Sequence, residues 1–223
     1  MLGRDEIVRT AMDLADEAGP AAMTMKAIAA DLGDYTPMAL YRHIPNKDTL
    51  IDLMLETAVA EIPLPPEPGD DWRADLRELA MRTRQMTVRH PWFAQLVHTR
   101  PPSGPRRMRR LEFMLDVLVR QGADVATAMT YAALIDRHIY GSGLQEAEEA
   151  RFSRDHGLDD TAALYAAFAT LHAQAAADGD FPHLTRWLAH PAGPSVDDQF
   201  ALGLDFILDG IAARFRDPGL GQR

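Results

Sequence analysis

The residues whose types and spacing could do chemistry are concentrated between Thr24 and Lys47. Tyr41 and His43 can each donate a hydrogen bond to a phosphate oxygen, and Lys47 can reach one; such contacts position a protein on nucleic acid without reading its sequence. Pro37, Met38 and Ala39 precede them and are mostly apolar. They suit thymine methyl contacts and shape readout better than bidentate reading of guanine. With Thr24, Lys26 and Thr36 they complete a candidate DNA-contact set of nine. Enzymatic patterns are weak by comparison. The eight His are scattered, with no H-E-x-x-H, no G-x-S-x-G and no phosphate-cradling glycine loop. His90 and His98 lie either side of Pro91 and make no ready metal pair, and without Cys there is no disulfide, thiol nucleophile or thiolate metal site. No cofactor or metal is expected.

The elements that must position these residues read as helices throughout. No run of β-branched residues alternates at period two; proline and glycine punctuate amphipathic segments instead. The first helix is expected over about Arg4 to Ala18, with Ile7, Ala11, Leu14 and Ala18 on one face, ended by Gly19-Pro20. Thr24 caps a second, running through Ile28 to Leu32 and stopped by Gly33. Thr36 caps a short third, with Pro37 as its first residue, and Asn46 caps a fourth that reaches toward Ile62. Pro63 to Gly69 cannot be helical and forms a stiff connector, so the expected domains are 1–62 and 70–217. Helices are then expected from Asp70 or Asp71 to about Arg89, Trp92 to Val97, Arg106 to Gln121, Asp124 to about Glu149, Asp160 to Ala177, Phe181 to His190, and Val196 to about Phe215. The last opens on a capping box, Ser195-Val196-Asp197-Asp198.

A support helix, a tight turn and a short helix presenting its N-terminal side chains are the parts of a helix-turn-helix. The segments Thr24-Met25-Lys26-Ala27-Ile28-Ala29-Ala30-Asp31-Leu32-Gly33, Leu40-Tyr41-Arg42-His43-Ile44 and Asn46-Lys47-Asp48-Thr49-Leu50 together resemble the DNA-binding signature of the TetR family of transcriptional repressors. The match covers about residues 4–55; the rest is similar in length, helical pattern and segment order. The resemblance implies an all-α protein, with an N-terminal three-helix helix-turn-helix domain and a larger helical ligand-binding and dimerisation domain. It implies a homodimer on a palindromic operator in double-stranded DNA, released when a small molecule binds the second domain. Tyr41, His43 and Lys47 become the expected phosphate contacts; Thr36, Pro37, Met38 and Ala39 fall where the family meets bases or backbone. Two features depart from the pattern. The turn Gly33-Asp34-Tyr35-Thr36 is one residue longer than the usual spacing, and residues 1–50 carry five Lys/Arg against eight Asp/Glu. The basic residues must therefore cluster on one side, with Asp5, Asp13, Asp16 and Glu17 facing away.

In the second domain Met81, Met86, Trp92, Phe93, Leu96, Met114, Tyr131, Leu134 and Phe168 are candidate walls of an apolar pocket, with Met129 beside them. Gln85 and His138 are its candidate polar groups, together with His98, Asp136 and Tyr140. The composition points to a mostly apolar small ligand, its effect passing through the Trp92–Val97 helix to the fourth helix. Between Arg73 and Arg110 the chain holds ten Arg and two acids. That run reads as a second DNA contact, as an anionic ligand site, or as solvated helix faces paired with acids such as Glu146, Glu148 and Glu149. The last is the expectation, because charge runs usually face solvent. On the final helix Phe200, Leu204, Ile207 and Ile211 form a stripe, with Gly203 and Gly210 beside it. This face either packs on the long helix within the chain or forms a symmetric four-helix dimer interface; the resemblance favours the interface.

The whole chain of 223 residues, with 47% hydrophobic and 25% charged residues, excludes a disordered protein. Its net charge of −10 argues against coating nucleic acid over the entire surface. Neither a signal sequence nor a membrane span is legible, so a cytoplasmic location is expected. The rival reading is a helical small-molecule binding protein or enzyme in which the first helices are only structural.

Overall fold

The structure, a computed structural model, describes residues 2–33, 35–98, 100–101, 103–158, 161–190 and 193–216. Among them the fold is all-α, with eleven helices: α1 (Arg4–Ala18), α2 (Met25–Asp31), α3 (Pro37–Tyr41), α4 (Lys47–Val59), α5 (Trp72–Arg89), α6 (Pro91–Val97), α7 (Pro105–Arg120), α8 (Val125–Asp155), α9 (Thr161–Asp178), α10 (Pro182–Ala189) and α11 (Val196–Arg216). The helix starts follow the sequence's capping chemistry. Thr24, Asn46 and Asp71 each accept a backbone N–H of the first turn, at 3.0 Å, 2.8 Å and 3.0–3.1 Å. Asp124 accepts both the N–H and the hydroxyl of Thr127 at 2.9 Å, which holds its carboxyl below the usual range. Two details differ from the sequence reading. The buried face of α1 is Ile7, Val8, Ala11, Met12 and Ala15, with Ala18 exposed, because the helix packs on both α2 and α4. Helix α8 runs six residues past Glu149, since nothing in Glu149–Asp155 breaks a helix.

Compactness groups Met1–Leu144 with Gly203–Arg223 and sets Gln145–Leu202 apart. In the smaller unit α9 packs against α10, with the Phe168 and Trp187 rings edge to face at 6.0 Å. The Ser195 N-cap appears at α11, where its hydroxyl accepts the Asp198 N–H at 3.1 Å and donates to the Asp198 carboxylate at 2.7 Å, a variant of the capping box in which the carboxylate takes the hydroxyl.

In the larger unit α4 is the hub, packing against α1, α5, α6 and α7. Its Leu50, Met54, Leu55 and Ala58 are all but fully buried. The α7 start is built across this contact. Glu56 of α4 accepts the N–H groups of Arg106 and Arg107 at 2.9 Å and 3.1 Å, so a carboxylate satisfies two free amides at the positive end of α7. Gly104 makes the approach possible: a Cβ there would lie 1.9 Å from the Glu56 carboxyl carbon. Gly104→Ala is therefore expected to displace Glu56 and cost about 1–2 kcal/mol, the usual worth of a lost helix cap. In a denaturation series, Gly104→Ala should cost much less in a Glu56→Ala background; full additivity of the two changes would contradict the shared cause.

Candidate nucleic-acid interface and ligand cavity

Helices α2 and α3 hold their inner faces in the core, with Ile28 and Leu40 fully buried and Ala29 and Ile44 beside them. That fixes what faces out. Thr24, Lys26, Thr36, Met38, Tyr41 and Lys47 are exposed; Pro37, Ala39 and His43 are half-buried. Met38 is 68% exposed, a large apolar side chain at the second position of α3. Thr36 is the α3 N-cap, accepting the Ala39 N–H at 3.4 Å, so like Thr24 it has a helix-starting role that leaves its hydroxyl hydrogen free to donate. The expected residues fall at the starts of α2 and α3, along α3 and just after it, and Lys47 opens α4. Asp34, on which the longer turn rests, lies outside the described residues.

One acid of the trio, Asp16, and Asp48, Asp52 and Glu61 of α4 and the turn after it are engaged with the second body, while Asp5, Asp13 and Glu17 are exposed. Asp16 of α1 lies 2.9 Å from His90 Nδ1 and accepts the Trp92 indole N–H at 2.6 Å. Glu61 takes the other His90 nitrogen at 3.0 Å and the Arg89 guanidinium at 2.8 Å. Burial pushes the Glu61 pKa up, but the hydrogen bonds from Arg89 and His90 outweigh it and hold the group below its ordinary value. Asp48 and Asp52 are bridged by Arg100 at 2.6 Å and 3.1 Å. Burial opposes the charge of Arg100, and the two carboxylates more than restore it.

Arg100 also lines a cavity of about 480 Å³ whose walls include Val59, Phe93, Val97, Leu111, Met129 and Tyr140. Its charged lining is Arg100, Arg107, Arg110, Asp136 and Arg137, with His98 beside them. Arg110 is buried and paired bidentately with Asp136, at 2.7 Å and 3.2 Å, and its Nε donates to Thr83 at 3.3 Å. Burial lowers the Arg110 pKa, but Asp136 raises it further, and the group is held above the usual arginine value. Burial raises the Tyr140 phenol well above its ordinary value.

Of the eleven pocket residues expected from sequence, only Phe93 lines this cavity; His98, Asp136, Tyr140 and Met129 also reach it. The others are placed elsewhere. Met86, Trp92 and Met114 are core, with Trp92 committed to Asp16. Gln85 and Leu134 are exposed, and Met81 and Leu96 are half-buried. Tyr131 meets Phe215 edge to face at 6.1 Å, and Phe168 packs on Trp187. His138 sits against Gly203, where a Cβ would come within 2.5 Å of its ring.

Sequence reasoning missed Arg107, Arg110 and Leu111. The signal was available, since Arg107, Arg110, Met114, Val117 and Leu118 fall on one helical face at spacings of three, four, three and one. The Arg73–Arg110 run is not simply solvated: Arg84, Arg107 and Arg110 are buried, and several of its other cations are ion-paired. Arg73 pairs with Asp209 at 2.6 Å, Arg77 pairs with Asp205, and Arg82 pairs with Glu78. Glu148 also pairs with Arg151, and Glu149 accepts from Gln145.

The stripe on α11 also turns inward. Phe200, Leu204 and Ile211 are buried within the chain and Ile207 is half-buried, because Leu204, Leu208 and Ile211 complete an intrachain core. The outward apolar residues are Leu202 and Phe206, the latter 67% exposed, and a Cβ on Gly210 would meet nothing. Among the described residues no group of three or more His, Cys, Asp or Glu could hold a metal ion, and no helix is long and apolar enough to cross a membrane.

A three-helix unit with an exposed recognition helix, joined through a shared helix to a cavity-bearing helical body, defines a helix-turn-helix protein with a sensing domain. The family model for bacterial regulatory proteins of the tetR family matches residues 7–54, and that for the tetracyclin repressor-like C-terminal domain matches residues 64–215. The chain belongs to the TetR family and is a DNA-binding transcriptional regulator. It is 32% identical to the HTH-type transcriptional repressor DrrR1 of Streptomyces coeruleorubidus, over 93% of this chain and 76% of that one. An HTH-type transcriptional regulator of Saccharopolyspora erythraea is 29% identical, over 96% and 86%. The crystal structure of the Streptomyces coelicolor TetR family protein ActR in complex with actinorhodin superposes with a TM-score of 0.76 at 26% identity, covering 96% of this chain and 98% of that one.

The Arg110–Asp136 pair holds a buried charge in the cavity wall. Asp136→Ala leaves a buried guanidinium uncompensated and is expected to destabilise the fold by about 3–5 kcal/mol in urea denaturation. A loss under 1 kcal/mol would mean the pair is solvated.

Proposed function

We propose that the chain is a homodimeric repressor that binds a palindromic operator and releases it when a small, mostly apolar ligand enters the cavity. It acts in the cytoplasm and catalyses nothing. Tyr41, His43 and Lys47 grip phosphates; Thr24, Lys26 and Thr36 add backbone contacts; Pro37, Met38 and Ala39 meet the base edges. The names of the similar proteins support this reading, one being a repressor and another solved with a small molecule bound.

One observation carries the coupling. Arg100 lines the cavity, and its guanidinium bridges Asp48 and Asp52 in the first two turns of α4, immediately after Lys47. A ligand that draws Arg100 away both frees α4 to tilt and leaves a bare carboxylate at Asp48 beside a phosphate contact. Glu56 couples the same helix to the start of α7. The route thus enters α4 from α7 and from the turn after α6, beside α6 itself, which packs on α4 and is tied to α1 through Asp16. A ligand need only bind the released state better to shift the population.

Two measurements test the reading once a duplex has been selected from a random pool. Lys47→Ala is expected to weaken binding to all sequences alike and to reduce the magnitude of the salt slope by about 1 per half-site. Unchanged affinity and slope would remove Lys47 from the interface. For the dimer, the exposed Phe206 is the better probe than Gly203, which packs on His138. Phe206→Asp is expected to give monomer in sedimentation at micromolar protein, with operator affinity falling at least a hundredfold as the half-sites uncouple. A dimer with wild-type affinity would place the interface elsewhere.

A further inference from the structure

Arg107 lines the cavity and is only 7% exposed. Its Nη2 donates to the Arg100 carbonyl at 3.0 Å, while its Nη1 is buried with no hydrogen-bond partner. Buried donors are nearly always satisfied, and a charged one left unpaired carries a large desolvation penalty. The neighbouring cations differ. Arg110 is matched by Asp136, and Arg100 by Asp48 and Asp52. Among the described residues Asp136 is the only carboxylate of the lining, and it is already spent on Arg110. Positive charge is therefore left on Arg107 and on the exposed Arg137, against walls of Phe93, Val97, Leu111 and Met129.

We infer that the cavity is built for an amphipathic organic anion, an apolar ring-sized body with one carboxylate, sulfonate or similar oxyanion that pairs with the guanidinium of Arg107. The inference rests on the cavity being the ligand site. An oxyanion supplies the acceptor that Nη1 lacks and the negative charge that the lining lacks, in a site where few waters compete. It also lands on the residue whose backbone N–H is held by Glu56 and whose Nη2 holds the Arg100 carbonyl, so the anion touches both ties to α4.

The test uses the full chain and two dyes of one skeleton, anionic 1-anilinonaphthalene-8-sulfonate and neutral N-phenyl-1-naphthylamine, titrated by fluorescence. Arg107→Gln is expected to weaken the sulfonate at least tenfold and the neutral dye less than twofold. Arg109→Gln, which removes an exposed charge from the same helix, should change neither, and Arg107→Lys should recover part of the loss. Equal loss of both dyes in Arg107→Gln, or no loss of the sulfonate, overturns the inference. Should Arg107→Gln not fold, the wild-type protein decides: 1-naphthoate must displace the bound dye at least tenfold better than 1-naphthamide, and equal displacement overturns it. Leu111→Trp, which fills the cavity, separates the two claims. If it abolishes binding of both dyes while no charge preference is found, only the anion is wrong. If both dyes bind it undiminished, or neither binds the wild type, the cavity reading falls and the inference with it.

Discussion

Asp48, Asp52 and Glu56 recur every four residues along α4, so their carboxylates leave one side of the helix about one turn apart. Arg100 takes the first two, and the free N–H groups at the start of α7 take the third. The opposite face of α4 is apolar and completes the core under α1. One helix thus belongs to two bodies by two different physics. Apolar burial, which is non-directional, holds it to the DNA-binding trio and to the cavity-bearing helices, where Val59 lines the cavity; charged, directional contacts are added only on the second side. Directional contacts between partly exposed groups are individually weak and break over short displacements. This charged part of the joint can change state while the apolar part keeps α4 in the core.

The charge balance of the trio follows from the same joint. Five Lys/Arg against eight Asp/Glu in residues 1–50 is a poor composition for meeting phosphates. Asp16 and Asp48 are nevertheless matched by His90, Trp92 and Arg100, leaving Lys26, Arg42 and Lys47 exposed around the outward residues of α3. One carboxylate directly after an expected phosphate contact, Asp48, is thus neutralised by an arginine of the sensing body. On the proposed reading this neutralisation is conditional, because the arginine that supplies it also lines the cavity. Repulsion between a freed Asp48 and a phosphate would act over the Debye length of about 8 Å at physiological salt, well beyond the reach of a steric clash.

Much of the fold was legible because it is written in local signals. Thr24, Asn46, Asp71 and Ser195 are side chains that compete for backbone amides and so mark where helices begin. Proline at the starts of α3, α6, α7 and α10 does the same by lacking the N–H a helix start leaves unpaired. The outward residues of α3 were legible too, since burying Leu40 and Ile44 leaves Met38 and Tyr41 on the other side. What periodicity cannot decide is which of two half-apolar faces turns inward. On α11 the stripe Phe200, Leu204, Ile211 and the stripe Leu202, Phe206 are each plausible interfaces, and only the packing of α8 and α5 against the helix chooses.

The cavity was the least legible feature, for a reason that bears on its chemistry. A pocket search led by Met and aromatic residues finds the core, because those side chains are what a core is made of; Met86, Trp92 and Met114 went there. The cavity lies instead where α7 violates its own amphipathic pattern, with Arg107 and Arg110 on the face that Met114, Val117 and Leu118 bury. Sequences that fold well obey such patterns nearly everywhere and break them where function demands it. A solvated arginine would sit on the opposite face of α7 at no cost, as Arg106 and Arg109 do. Two buried arginines on the inner face, one matched by Asp136 and one with a buried N–H left open, are a standing expense that folding alone does not explain, and a bound anion removes that expense by completing the pair.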